Sequence, residues 1–127
     1  MATGKRVVIA EDEESILASL EFLVRNAGHE PVCARDGDQA LAAVEAFRPH
    51  LVLLDLMLPR RSGLEVCAAI RASAALRGTK VLMLTAKGGS GEAARGLAAG
   101  ADDYMVKPFS TRELGDKLRA LLAEART

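Results

Sequence analysis

The chain has 127 residues, half of them hydrophobic, with 17 basic and 17 acidic side chains that cancel to a formal net charge of zero. That length suits one domain, 1–127, with a core large enough to stand without staples. The charge balance excludes a nucleic-acid or membrane surface acting through bulk charge. With no signal peptide before Arg6 and no apolar run near the roughly 20 residues of a membrane span, a cytoplasmic protein is expected.

In chain order, Arg6–Ala10 (RVVIA) is a continuous apolar run bounded by Glu11-Asp12-Glu13-Glu14. Glu13 and Glu14 read as an acidic first turn favouring the helix dipole. Helical spacing follows, with Ile16, Leu20, Leu23 and Ala27 on one face and Gly28 where a C′ glycine belongs. Pro31–Ala34 is a short strand whose proline argues for a sheet edge. Gly37–Phe47 is helical through Ala40, Leu41, Val44 and Phe47, and Pro49 stops it. Leu51–Leu54 then runs without alternation, which suits a strand covered on both faces, and ends on one carboxylate, Asp55. Pro59 cannot continue a central strand, and Arg60 to Gly63 give a polar turn into a helix over about 63–72 carrying Leu64, Cys67 and Ile70.

Lys80–Leu84 is a third buried-type run, ending on Thr85. The glycine-rich stretch Gly88-Gly89-Ser90-Gly91 predicts a loosely started helix with Leu97 as its only large inward residue. Asp103–Val106 makes a last short strand, ending at Lys107-Pro108. Ser110-Thr111-Arg112-Glu113 has a capping-box pattern and opens a helix carrying Leu114, Leu118, Leu121 and Leu122. Cys33 and Cys67 form no disulfide framework and no metal-ligand spacing, so both read as core or half-buried residues. Five alternations of strand and helix point to a single parallel sheet covered by helices on both faces.

In such a sheet the carboxyl ends of the strands share one edge, where ligands bind. Glu11, Asp12, Asp55, Thr85 and Lys107 then converge. Three acids repel one another unless they share a cation, and oxygen ligands select a hard ion such as Mg²⁺. A hydroxyl and an ammonium beside them suit a phosphoryl group, so Asp55 is either another metal ligand or a nucleophile forming an aspartyl-phosphate.

Glu11-Asp12, Asp55 with Pro59 and Gly63, Thr85-Ala86 and Lys107-Pro108, in this order, resemble the CheY-like receiver domain of bacterial two-component response regulators. The resemblance spans Arg6 to about Leu122. It implies a three-layer α/β/α sandwich with five parallel strands in order 2-1-3-4-5 and five helices. It also implies phosphoryl acceptance by Asp55 from a sensor histidine kinase or histidine phosphotransferase. Mg²⁺ (or Mn²⁺) would be held by Glu11 through water, Asp12, Asp55 and the Met57 backbone carbonyl. Thr85 would swing onto one phosphate oxygen, Lys107 would pair with another, and Tyr104 would rotate inward as the switch aromatic. The Lys107–Pro108 bond is expected to be cis. Met57 and Lys87, each two residues beyond a site residue, flank the path of the hydrolytic water. A bulky Met57 that cannot orient water implies slow dephosphorylation.

The last third most resembles the receivers of winged-helix transcription regulators of the OmpR/PhoB type. In those, charged residues of the fourth helix, fifth strand and fifth helix pair across a symmetric dimer, and Arg95, Asp103, Glu113 and Lys117 match by position. Arg61 is unusually basic for its loop and is a candidate kinase contact. The chain ends soon after its last leucine, so no output domain is expected in it, and it stands either as a lone regulator or as the receiver of a longer protein. Two alternatives differ from a phospho-accepting switch. An aspartyl phosphatase of the haloacid-dehalogenase type needs an acid two residues after the nucleophile, where this chain has Met57. A degenerate binding module should lack a site residue, and none is missing.

Overall fold

The computed structural model describes residues 4–86 and 91–124. Strand and helix alternate throughout: β1 Arg6–Ala10, α1 Glu14–Asn26, β2 Glu30–Ala34, α2 Gly37–Phe47, β3 Leu51–Asp55, α3 Gly63–Ala72, β4 Lys80–Thr85, α4 Glu92–Ala98, β5 Asp103–Val106 and α5 Thr111–Glu124. All neighbouring strands pair in parallel, in the order β2-β1-β3-β4-β5. Among the described residues no helix is long and apolar enough to cross a membrane.

The unbroken apolar runs are explained by the two covered faces. Successive strand residues point to opposite sides. Val7, Ile9, Leu51, Leu53, Leu82 and Leu84 pack with the leucines of α1 and α5. Val8, Ala10, Val52, Leu54, Val81 and Met83 pack with Ala40, Val44, Val66, Cys67 and Ile70 of α2 and α3. The edge strands β2 and β5 are only partly buried, and β2 carries Pro31.

Several sequence expectations shift by one residue. The buried stripe of α1 is Leu17, Leu20 and Val24, turned part of the way round from the expected one and sharing Leu20 with it; Ile16 and Leu23 sit at its margin with Phe109, and Ala27 is exposed. Leu97 does not point inward: it is 44% exposed, and Gly96 is the buried residue of α4. A Cβ at Gly96 would meet Met83 Cγ at 3.1 Å, so α4 sits close on β4 and has no room for a large inward side chain. Cys33 is exposed on the outer strand, whereas Cys67 is buried. Phe47 is also exposed, because Arg48 leaves the helix in a left-handed turn (φ 45°) ahead of Pro49. Ser110 accepts a bond from the Glu113 N–H, half of the capping box; the complete one is at α3, between Ser62 and Glu65. Gly88, Gly89, Ser90 and Lys87 lie outside the described residues.

Candidate functional site

The carboxyl ends of β1, β3, β4 and β5 are adjacent. The register Ala10↔Leu54, Asp55↔Leu84 and Thr85↔Val106 delivers Glu11, Asp12, Asp55, Thr85 and Lys107 to one rim. Backbone bonds continue past the strand ends: Leu56 N–H donates to Leu84 O at 3.0 Å and Lys107 N–H to Thr85 O at 2.8 Å. The Lys107–Pro108 peptide is cis.

Glu11 and Asp55 are buried carboxylates, 1% and 6% exposed, while Asp12 is exposed. The three offer oxygens that lie within 4.8 Å of one another. The Lys107 ammonium stands between two of them, 2.8 Å from Glu11 Oε1 and 3.3 Å from Asp55 Oδ2. Glu11 Oε2 accepts from the Glu13 N–H at 3.0 Å, and Asp55 Oδ1 from the Met57 N–H at 3.2 Å. Glu11 Oε1 is buried, and its contact is the ion pair with Lys107. Burial drives the Glu11 carboxyl above its ordinary range, against the pull of Lys107 and the Glu13 N–H. Burial likewise pulls the Lys107 ammonium down, but Glu11 and Asp55 outweigh it, and lysine stays charged with its pKa raised.

Three carboxylates against one ammonium leave an excess of two negative charges in a half-buried cleft. That all-oxygen donor set fits a hard divalent cation. Mg²⁺ favours a small number of carboxylates with the rest of its shell left to water and phosphate oxygens.

Thr85 is buried, and its hydroxyl turns to the Met105 carbonyl at 3.5 Å. Tyr104 is 37% exposed on β5. Lys117 Nζ pairs with Asp103 Oδ2 at 2.8 Å within the chain, while Arg95 and Glu113 are exposed. Arg61 is held by its own domain: its Nε is 2.9 Å from Asp38 Oδ1 of α2. The fastening of the loop after Asp55 to α2 was missed in the sequence, where Gly37 read only as the start of a helix.

This rim on this sheet defines a phosphoryl-accepting signalling domain of the CheY-like class. A family model described as the response regulator receiver domain matches residues 7–119, and the chain belongs to that family. It is 41% identical over 119 residues to the alkaline phosphatase synthesis transcriptional regulatory protein PhoP of Bacillus subtilis, covering 94% of this chain and 49% of that protein. It thus spans about half the length of the curated relatives it matches, which are OmpR/PhoB-type regulators. A solved structure described as a putative response regulator from Chloroflexus aurantiacus superposes with a TM-score of 0.91 at 31% identity, covering 95% of this chain and 99% of that one. The receiver domain of sensor histidine kinase PA1611 from Pseudomonas aeruginosa, solved with magnesium in its active-site cleft, superposes with a TM-score of 0.88 at 30% identity, covering 95% and 99%.

Proposed function

We propose that Asp55 is the phosphoryl acceptor. The observation that carries this is a buried carboxylate at a strand end with an ammonium 3.3 Å from its Oδ2 and two further acids within 4.8 Å. An Asp55 oxygen bonds to phosphorus as the bond from phosphorus to the donor's histidine nitrogen breaks. The product is an acyl phosphate, and no net proton transfer to Asp55 is needed because it reacts as the anion. Asp12, Asp55 and the Met57 carbonyl, with Glu11 through water, would hold Mg²⁺ or Mn²⁺, which would supply neutralisation of the phosphoryl oxygens. Lys107 exchanges its Asp55 contact for a phosphoryl oxygen. Thr85 gives up its long bond to Met105 for another, and Tyr104 turns inward into the space this leaves.

The domain assists only its own phosphorylation and dephosphorylation and otherwise acts as a cytoplasmic switch. Its donor is a sensor histidine kinase or a histidine phosphotransferase. A groove of about 550 Å³ lined by Ile16, Leu23, Lys107, Pro108 and Phe109 opens on the α1 side of Lys107 and supports docking of such a partner. The phosphorylated form presents α4, β5 and α5 to an output domain or to a second copy, with Arg95, Asp103, Glu113 and Lys117 as the charged residues of that dimer face. The chain itself contacts no nucleic acid. Met57 is 66% exposed and apolar, offers no group to orient water, and therefore lengthens the phosphoryl lifetime.

Intact mass after incubation with a small phosphodonor and Mg²⁺ tests this. The expected result is a gain of one phosphoryl group that requires Mg²⁺ and is absent in Asp55→Asn. A gain that persists in Asp55→Asn overturns the assignment.

A further inference from the structure

The loop that carries the Met57 carbonyl is not free-standing. Gly37, the first residue of α2, donates its N–H to the Pro59 carbonyl at 3.1 Å, and the Arg61 N–H shares that oxygen at 2.7 Å. A Cβ on Gly37 would fall 1.9 Å from the Arg61 carbonyl oxygen and 2.5 Å from its Cβ, so the backbones touch with no intervening side chain. Two ion pairs flank the contact: Arg60 Nε lies 3.5 Å from Asp36 Oδ2, and Arg61 Nε lies 2.9 Å from Asp38 Oδ1. Arg60 is held in a left-handed conformation (φ 70°), unusual for a residue with a side chain and maintained only where surroundings over-determine it. At the loop's other end Gly63 N–H donates to the Leu56 carbonyl at 2.9 Å. The loop is thus pinned at both ends, by α3 and by α2.

We infer that the first turn of α2, Asp36-Gly37-Asp38, is a positioning element that sets the affinity of the acidic cleft for its divalent cation by fixing residues 56–62. The inference rests on Met57 being a cation ligand through its backbone. α2 contributes no atom to the cleft, yet its backbone fixes where the loop crosses the sheet rim. A metal such as Mg²⁺ demands near-ideal geometry, so a displacement of the loop by an ångström is felt at the ligand carbonyl.

The sign of two charge reversals tests this. Mg²⁺ dissociation constants are read from the amide resonances of Asp12 and Met57 in the unphosphorylated protein. If residues 38 and 61 acted only through their charge, Arg61→Asp would tighten Mg²⁺ binding by adding negative potential, and Asp38→Arg would weaken it. The clamp instead requires both single reversals to weaken binding, several-fold, and the double reversal to return it to within twofold of the native value. Gly37→Ala should weaken it at least tenfold. Gly100→Ala at the opposite end of the sheet, where the Cβ would meet Arg71 Cγ at 2.6 Å, is the control: it lowers stability and leaves Mg²⁺ affinity unchanged. Tightening by Arg61→Asp, or equal losses in Gly37→Ala and Gly100→Ala, overturns the clamp. Absence of Mg²⁺ binding in the native protein overturns the acidic cleft as a cation site and the clamp with it.

Discussion

The two ends of the sheet are built on opposite principles. At the amino end, among the described residues, the buried polar side-chain atoms have hydrogen-bond partners. Arg71 donates to the carbonyls of Gly100 (2.8 Å), Thr79 (2.6 Å) and Arg77 (3.1 Å) and to Asp102 Oδ2 (2.7 Å), while Asp102 also accepts from the Val81 N–H at 2.8 Å. The buried Thr79 hydroxyl donates to the Pro49 carbonyl at 3.1 Å. At the carboxyl end, by contrast, three acids face one ammonium. Like charges crowded in a low-dielectric cleft raise the energy of the fold. One end is finished by the chain itself; the other is left for a ligand to complete. Residues at the first end should therefore govern stability, and those at the second should govern binding.

The largest expected effect comes from cutting the finished end. Arg71→Ala removes four donated bonds and leaves partly buried carbonyls of Gly100 and Thr79 behind it, which should lower unfolding free energy by about 2–3 kcal/mol, allowing for its partial exposure. Denaturant titration measures this, and Mg²⁺ affinity should stay within twofold. A large loss of Mg²⁺ affinity at equal stability would break the division between the ends. The next effect comes from the unfinished end. Asp12→Asn removes an exposed ligand charge, so the metal-free protein should melt at or slightly above the native temperature. Mg²⁺ at ten times its native dissociation constant should stabilise the native chain by about 1.4 kcal/mol and this variant by much less. Thermal melts with and without Mg²⁺ distinguish the two. Equal Mg²⁺ stabilisation in both chains would remove Asp12 from the ligand set.

How far these ends could be read from sequence follows from what periodicity reports. The β-strands were legible because parallel strands covered twice are apolar throughout, and the acids that interrupt Arg6–Ala10 and Leu51–Leu54 mark the rim. Asp55, Thr85 and Lys107 were therefore findable from their place after apolar runs. The inward face of α4 was not, because a helix that packs through Gly96 against Met83 leaves no hydrophobic signal, and Leu97 was the only large residue to choose. Nor was the environment of Cys33 legible: a residue type that favours burial sits on the outer side of an edge strand. The α2 clamp was hidden for a third reason. Asp36 does cap its helix, accepting from the Gln39 N–H at 2.7 Å, and a capping signature says nothing of the backbone lying against Gly37. The Arg71 hub joins residues up to 29 positions apart through carbonyls, which have no sequence signature at all.

The smallest expected effect concerns pH, and it again separates the ends. Both histidines of the chain lie at the amino end and serve as acceptors: His29 Nδ1 takes the Lys5 N–H at 3.1 Å and His50 Nδ1 takes the Arg6 N–H at 3.2 Å, just where β1 begins. An imidazole that accepts at Nδ1 must be neutral, with its proton on Nε2. Burial holds both rings below the ordinary histidine value of 6.5, and nearby Lys5 adds to it at each, with Arg6 adding further at His50. The unfolded chain then binds protons before the folded one does. The stability these rings supply is complete above pH 6.5 and is lost as pH falls from there through their lowered folded values. Each ring is partly exposed, so the loss should be no more than about 0.5 kcal/mol per histidine. Melting curves between pH 7.5 and 5 in the native chain and in His29→Gln/His50→Gln test this. The double variant should lose less stability over that range than the native chain does, by about the sum of the two contributions. If the two chains lose stability in parallel, the histidines are not the source of the acid sensitivity, and the amino end is not the place where protons act on this fold.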